Sequence, residues 1–278
     1  MKISVIQMKV RETKEKSLLE AEKRIGEVAA SGADFAVLPE MFSCPYETSG
    51  FPLYAEGADG ETVGRLSEAA GKNGIYLVGG SIPERDAEGK IYNSSFVFDR
   101  KGKLLARHRK VHLFDIHVRG GQSFRESDTL SPGEGATVFS TEFGPMGLCI
   151  CFDIRFPELF RDMAEGGALA VFCPAAFNWT TGPLHWELLF RARAVDHQLF
   201  TIGAAPAADR KASYISYGHS ILVSPWGEVL FQAGEEEGIF TADIDLDQVR
   251  QVREQIPIGN VQSFSSVSPA REGTATME

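Results

Sequence analysis

Continuous apolar runs constrain the fold of this chain more than any other feature of its sequence. They lie at residues 35 to 38, 148 to 152 and 169 to 173. A strand with one face in water alternates apolar and polar residues, so a continuous run indicates a strand that is covered on both faces by helices or by a second sheet. The runs therefore predict a layered α/β architecture.

Helical segments separate the predicted strands. Between strands at ISVIQMKV and ADFAVLPE, apolar residues recur at helical spacing from Leu18 and stop at Gly32, which is typical of a β-α-β unit. A second helix is predicted from about 61 to 72, leading into a strand-like segment at IYLVGGSIPE. Turn residues predict hairpins at Lys101-Gly102 and at 225–228. With no repeat or composition break before 265, we predict one domain over residues 1–264 and a polar C-terminal tail over 265–278.

Composition excludes several classes of partner. A net charge of −10 disfavours nucleic acid and anionic membranes, because both select basic surfaces. The N-terminal apolar stretch is short and runs into the charged segment RETKEKSLLE, so we expect no signal peptide and a cytoplasmic location. The four cysteines have no CxxC spacing, and the chain has neither a P-loop nor a dinucleotide fingerprint. We therefore expect no metal, no cofactor and no disulfide framework.

Cys151 is the first candidate for chemistry. It lies where the apolar run GLCICF meets a predicted helix, for which Asp153 is the expected cap and Pro157 suits the first turn. A thiol facing a helix N-terminus gains stabilisation of its thiolate form, which favours a nucleophile. The alternative is a buried structural thiol, since free cysteine is among the most buried residue types.

Glu40 and Lys110 also follow apolar strands directly. Active sites of α/β folds gather at the carboxyl ends of strands, so these two side chains and Cys151 can meet in space. Taken singly, each charged residue is as readily explained as part of a solvated loop or face. Their joint pattern favours a site.

The sequence around these residues resembles the nitrilase superfamily of carbon-nitrogen hydrolases. The resemblance rests on LPEMF, RHRKVHLFD, FRESDTLSPG and GLCICFDIRFPE, in the family's order, and continues through AFNWTTGPLHWELLFRARAVDHQ and KASYISYGHSILVSPWGEVL. The last two segments most resemble the omega-amidase branch. This resemblance implies a four-layer α-β-β-α sandwich that forms a homodimer or higher homo-oligomer. It also implies hydrolysis of the terminal amide of short dicarboxylic acid monoamides, such as 2-oxoglutaramate and succinamate, through a cysteine thioester.

The resemblance also implies residue roles. Cys151 corresponds to the nucleophile, Glu40 to the general base, and Lys110 to the group that stabilises the oxyanion together with the backbone N–H of Phe152. Glu126, in the segment FRES, corresponds to a second glutamate that orients Lys110 and the substrate amide.

The small-molecule substrate carries a carboxylate that the pocket has to hold. An Arg, a Tyr hydroxyl or backbone N–H groups can bind a carboxylate, and the candidates near the predicted site are Tyr46, Arg155, Phe177 and Asn178. Each is equally compatible with ordinary loop packing.

Three alternatives remain open. A cysteine-histidine enzyme would use a base such as His112 or His185, although both are more typical of hydrogen-bonded structural residues. Another amide, carbamoyl or nitrile hydrolase of the superfamily would use the same three residues. A non-catalytic interaction protein could retain the fold.

Overall fold

The computed structural model describes residues 1–120 and 122–258. The predicted tail over 265–278 lies outside these residues. The strands are β1 (Lys2–Gln7), β2 (Phe35–Val37), β3 (Tyr76–Val78), β4 (Ile82–Arg85), β5 (Ile91–Phe98), β6 (Leu104–Arg109), β7 (Asp115–His117), β8 (Ser123–Arg125), β9 (Thr137–Thr141), β10 (Gly144–Leu148), β11 (Ala170–Pro174), β12 (Phe200–Ala204), β13 (Ile221–Val223), β14 (Val229–Gln232) and β15 (Gly238–Asp243). The helices are α1 (Lys14–Ala30), α2 (Phe51–Tyr54), α3 (Glu61–Asn73), α4 (Pro157–Glu165), α5 (Gly182–His197) and α6 (Asp247–Gln255).

Two large sheets form the centre of the fold. The first has seven strands in the order β15-β1-β2-β3-β5-β4, with β6 paired to β5. The second has six strands in the order β14-β13-β12-β11-β10-β9. Strands β1, β2 and β3 run parallel in the first sheet, as do β10, β11 and β12 in the second. Parallel strands place their carboxyl ends at one edge, which is where this fold brings its functional side chains together.

Three apolar layers hold the sheets and helices together. Residues of α1 and α3, such as Leu18 and Leu66, pack on the first sheet. The two sheets face each other through residues that include Phe35 and Phe172, whose rings stack with centroids 5.1 Å apart. Residues of α4 and α5, such as Phe160, pack on the outer face of the second sheet. The predicted four-layer α-β-β-α sandwich is confirmed, and it explains why the continuous apolar runs are covered on both faces.

The predicted helices form where the pattern placed them. Thr13 caps α1 by accepting a hydrogen bond from the backbone N–H of Lys16 at 3.2 Å, and the face that includes Leu18 and Ile25 is buried. Helix α3 ends at Gly74, whose φ of +61° suits a left-handed cap. In the described residues no helix is both long and apolar enough to cross a membrane.

The strand-like segment IYLVGGSIPE forms two strands in the structure. The structure divides it into β3 and β4, with Gly79 and Gly80 between them. Gly80 has a φ of +60°, and a Cβ atom there would lie 2.2 Å from the carbonyl oxygen of Pro39. A side chain is therefore excluded at this point, because the chain must turn closely against the loop that carries Glu40.

Candidate active site

Three turns at the ends of strands bring Glu40, Lys110 and Cys151 into one buried cluster. Glu40 follows β2, Lys110 is the residue after β6, and Cys151 follows β10. The exposed fraction of Glu40 and Lys110 is 0%, and that of Cys151 is 3%. The structure thus brings together the three side chains that the sequence pattern singled out.

The turn after β2 is fixed by the loop between β3 and β4. The hydroxyl of Ser81 accepts a hydrogen bond from the backbone N–H of Met41 at 3.1 Å, and the N–H of Ser81 donates to Pro39 at 3.3 Å. Met41 has a φ of +50°, which is uncommon for a residue with a side chain. These contacts turn the chain sharply at Glu40 and point it into the cluster.

Cys151 occupies a similarly tight turn. Its φ is +48°, a conformation that costs of the order of 1–3 kcal/mol for a residue other than glycine. The chain then enters a short 3-10 helix at Cys151–Arg155, before α4 begins at Pro157 as predicted. The N-cap of α4 is Phe156, so the prediction that Asp153 caps this helix is wrong.

Asp153 instead forms hydrogen bonds that connect the end of β6, next to Lys110, with the turn that contains Cys151. Its carboxylate accepts hydrogen bonds from His108 Nε2 at 3.0 Å, from His112 Nδ1 at 2.9 Å and from two backbone N–H groups. Burial acts to raise the pKa of Asp153, but the hydrogen bonds from the two histidines lower it. His112 therefore serves a structural carboxylate, in agreement with its predicted structural role.

Lys110 lies between two buried carboxylates. Its Nζ is 2.9 Å from Glu40 Oε1 and 3.0 Å from both oxygens of Glu126. Burial acts to lower the pKa of Lys110, but the charges of Glu126 and Glu40 outweigh it and raise the pKa well above its ordinary value. The lysine is therefore a fixed cation across the working range of pH.

The two oxygens of Glu40 have different surroundings. Oε1 accepts hydrogen bonds from Lys110 Nζ and from Asn93 Nδ2 at 2.8 Å, and the Tyr46 hydroxyl oxygen, whose hydrogen is donated to Glu126, lies 3.2 Å away. Oε2 accepts from the backbone N–H of Ala176 at 2.7 Å. Since a carboxylate oxygen has two lone-pair positions, Oε1 is fully occupied whereas Oε2 retains room for one more proton donor.

Cys151 is held as a neutral thiol. Burial and the negative charge of Glu40 raise its pKa well above the ordinary value, and the positive charge of Lys110 offsets them only in part. The expectation that a helix N-terminus favours the thiolate is therefore wrong for the resting site. A thiol whose pKa is raised needs a base at the moment of reaction.

Arg155 lies at the far end of the same 3-10 helix, four residues after Cys151. Its guanidinium carbon is 5.4 Å from the ring centre of Phe152 and 5.1 Å from that of Phe177. Its Nη2 donates to His185 Nδ1 at 3.2 Å. Burial lowers the pKa of Arg155, although an arginine remains charged at neutral pH.

Tyr46 and Asn178 are placed differently from their expected position at the pocket mouth. The Tyr46 hydroxyl donates to Glu126 Oε1 at 2.6 Å, and burial together with the two glutamates raises its pKa. Asn178 Oδ1 accepts from the backbone N–H groups of Thr180 and Thr181, and its Nδ2 donates to Gln122. Both side chains are thus engaged by protein groups within the described residues.

Sequence reasoning missed several residues of the cluster. Tyr214 packs on Tyr46 with ring centres 4.6 Å apart, donates its hydroxyl hydrogen to the carbonyl of Ala176, and has its pKa raised by burial and by the charges of Glu40 and Glu126. Asn93 was also missed, although a polar residue inside the apolar strand β5 is a usable signal. Tyr214 lies in the segment KASYISYGHS, which contributed to the resemblance, but nothing in that segment marked this tyrosine as part of the cluster.

Within residues 1–120 and 122–258, no three His, Cys, Asp or Glu side chains are arranged to hold a metal ion. All four cysteines are free and buried.

Comparisons with known proteins agree with this geometry. The sequence profile of the family described as carbon-nitrogen hydrolase matches residues 2–254. Omega-amidase NIT2 of Xenopus tropicalis is 52% identical over 257 residues, covering 92% of this chain and 93% of the relative, and omega-amidase NIT2 of Homo sapiens is 49% identical with the same coverage. The crystal structure of Saccharomyces cerevisiae Nit3, a member of branch 10 of the nitrilase superfamily, aligns with a TM-score of 0.86 and 41% identity, covering 93% of this chain and 94% of that one. The chain therefore belongs to the carbon-nitrogen hydrolase family, within the nitrilase superfamily.

Proposed function

We propose that this protein is an omega-amidase, which hydrolyses the terminal amide of short dicarboxylic acid monoamides to the acid and ammonia. The observation that carries the proposal is the meeting of Cys151, Glu40 and Lys110 in one buried cluster. Identity of about half to omega-amidases over 92% of the chain supports the choice of substrate class.

Acylation begins with the neutral thiol. As the Cys151 sulfur bonds to the amide carbon, its proton passes to Glu40, whose Oε2 has room for a further hydrogen bond. The carbon–nitrogen bond then breaks, and Glu40 returns the proton to the departing nitrogen, which leaves as ammonia. The acyl group remains on sulfur as a thioester.

The carbonyl oxygen gains negative charge during this attack. Lys110, fixed as a cation by two glutamates, and the backbone N–H of Phe152, near the start of the 3-10 helix, are the donors we assign to it. Glu126 contacts Lys110 with both oxygens and accepts from the N–H of Phe114 at 2.7 Å, so it holds the lysine in place.

Deacylation reverses the proton path. Glu40 takes a proton from water as the water oxygen bonds to the thioester carbon. Breakage of the carbon–sulfur bond then releases the acid, and the proton returns to Cys151. The cycle needs neither a metal nor an organic cofactor, because every proton is held by a residue of the cluster.

The carboxylate end of the substrate is assigned to Arg155, with Phe177 forming the adjoining wall. Support comes from its charge, its position on the 3-10 helix that begins at Cys151, and its buried Nε, which has no hydrogen-bond partner among the described residues. Tyr46 and Asn178 we assign to holding the site, since a substrate carboxylate near Tyr46 would meet Glu40 and Glu126.

An ammonia-release assay across a panel of amides tests this function. Succinamate or 2-oxoglutaramate should be hydrolysed fastest, because its carboxylate pairs with the hydrogen-bond donors of the pocket. A neutral amide leaves those donors unpaired, which costs binding energy. Asparagine and glutamine should be poorer, because they carry an added ammonium group. Faster turnover of N-carbamoylputrescine or of aliphatic nitriles would leave only the family assignment standing.

We also propose that the protein forms a homodimer or higher homo-oligomer. Helix α5 exposes Leu184, Leu188 and Val195, and the neighbouring hairpin exposes Trp226, with exposed fractions between 48% and 76%. A contiguous apolar patch of this kind favours association. Light scattering should show Leu188→Glu shifting the protein to a smaller species, whereas Leu53→Glu, on a separate exposed site, should not.

A cytoplasmic location is proposed as well. The four free cysteines support it, because reduced thiols persist in reducing compartments.

A further inference from the structure

Arg155 is an arginine without a carboxylate neighbour. Among the described residues it forms no ion pair, and its Nε is buried without a hydrogen-bond partner. The side chain that contacts it through a hydrogen bond is His185, at 3.2 Å between Nη2 and Nδ1. A half-buried cation with a free donor and a neutral neighbour is arranged to receive an anion from outside the protein.

The aromatic rings do not by themselves orient this group. The rings of Phe152 and Phe177 lie 5.4 and 5.1 Å from the guanidinium carbon and attract its charge. Attraction to a ring face leaves the guanidinium free to turn in its own plane. A hydrogen bond from one nitrogen fixes that rotation and decides which N–H groups face the thiol.

His185 is suited to supply this hydrogen bond. It lies in the first turn of α5, where its backbone N–H donates to Thr181 at 2.9 Å, so its position is set by a helix that packs on the second sheet. Its Nδ1 can accept from arginine only when the ring is neutral. Burial and the charge of Arg155 both lower the pKa of His185, which favours the neutral ring.

We propose that His185 is a positioning residue for Arg155, which it turns toward the thiol to bind the substrate carboxylate. This inference rests on the proposed function. The effect of His185 is then specific to substrates that carry a negative charge, because a neutral amide makes no use of the guanidinium.

Removing the hydrogen-bond acceptor of His185 should therefore change the selectivity between acidic and neutral amides and leave the rate of the chemical step unchanged. His185→Leu should raise KM for succinamate about tenfold, the loss usual for one hydrogen bond to a charged group, with kcat little changed. Hydrolysis of butyramide, a neutral amide, should keep its kcat/KM. His185→Gln retains an acceptor and should recover most of the affinity for succinamate.

Alkylation of Cys151 gives a second readout that does not depend on turnover. Iodoacetate and iodoacetamide transfer nearly isosteric groups to the thiol with loss of iodide, but only iodoacetate is an anion. The ratio of their labelling rates at Cys151 should fall about tenfold in His185→Leu and recover in His185→Gln. Leu53→Ala, at an exposed leucine outside the proposed association patch, is the control and should keep the wild-type ratio.

The outcomes separate this inference from the proposed function. If Arg155→Met loses the preference for anions and His185→Leu keeps it, the role of His185 is refuted while the substrate class stands. If His185→Leu slows acidic and neutral reagents alike, His185 is merely structural and the inference fails. If Arg155→Met keeps the wild-type preference for anionic substrates and reagents, the assignment of Arg155 to the substrate carboxylate fails.

Discussion

Replacing Lys110 with methionine removes the cation that lies between two buried carboxylates. Glu40 and Glu126 are 0% exposed, at 2.9 and 3.0 Å from the lysine nitrogen. Removing one partner of a buried ion pair typically destabilises a protein by about 3–5 kcal/mol, because the remaining charge is left uncompensated. Both carboxylates keep other donors, including Asn93, Tyr46 and two backbone N–H groups. We therefore expect a loss in the free energy of unfolding of about 3 kcal/mol near pH 8, at the lower end of that range.

The sign of the pH dependence follows from the same contacts. A carboxylate without its cation in a buried site favours its protonated form, so the variant binds more protons when folded than the wild type does. The difference in unfolding free energy between Lys110→Met and wild type should therefore shrink as the pH falls to about 5.

Urea unfolding at both pH values measures this difference. Lys101→Met, on an exposed turn, is the control and should change the free energy by less than about 0.5 kcal/mol. Adding Glu126→Gln to Lys110→Met should restore part of the lost stability, since it removes one of the two stranded charges. A loss below about 1 kcal/mol, or one that is equal at both pH values, would refute the idea that the lysine neutralises the site.

Three further results are expected. Glu40→Gln should lower the rate of ammonia release about 10²-fold or more, because the amide accepts no proton from Cys151; a variant that keeps a tenth of wild-type turnover would contradict its role as base. Asp153→Asn should lower the unfolding free energy at neutral pH, because the pKa of Asp153 is lowered in the folded protein. The stability from this carboxylate is present above the ordinary pKa of a carboxyl group and is lost as the pH falls through the pKa of the folded state. Denaturation as a function of pH should therefore show variant and wild type converging in acid, and a constant gap would count against this reasoning. EDTA and phenanthroline should leave turnover unchanged in an ammonia assay. If either chelator inhibits the protein, and if added metal reverses that inhibition, the proposed metal-free mechanism is incomplete.

The layered fold and the main cluster were predictable because both depend on local patterns of the sequence. Continuous apolar runs report strands covered on both faces, as β2 and β11 are. Glu40, Lys110 and Cys151 lie in motifs at the ends of strands, and these motifs carried the family resemblance. Parallel strands place their carboxyl ends at one edge of a sheet, so side chains that follow them can meet.

What escaped prediction depends on contacts between distant segments. Ala176 contributes a backbone N–H to Glu40, and no sequence pattern marks a backbone group. Tyr46 has the chemistry of a carboxylate ligand, but its surroundings, two glutamates from other parts of the chain, decide what it does. The raised pKa of Cys151 was missed for the same reason, because it depends on burial and on the charge of Glu40, which lies far away in the sequence.

The central claim, that Cys151 forms an acyl-thioester with a short dicarboxylic acid monoamide, has a direct test. Enzyme quenched in acid during turnover of succinamate should carry a succinyl group on the peptide that contains Cys151, as measured by mass spectrometry with fragmentation of that peptide. The group should be absent in Cys151→Ala, which should also release no ammonia. An adduct on Cys149 or Cys173, or ammonia release that persists in Cys151→Ala, would contradict the mechanism.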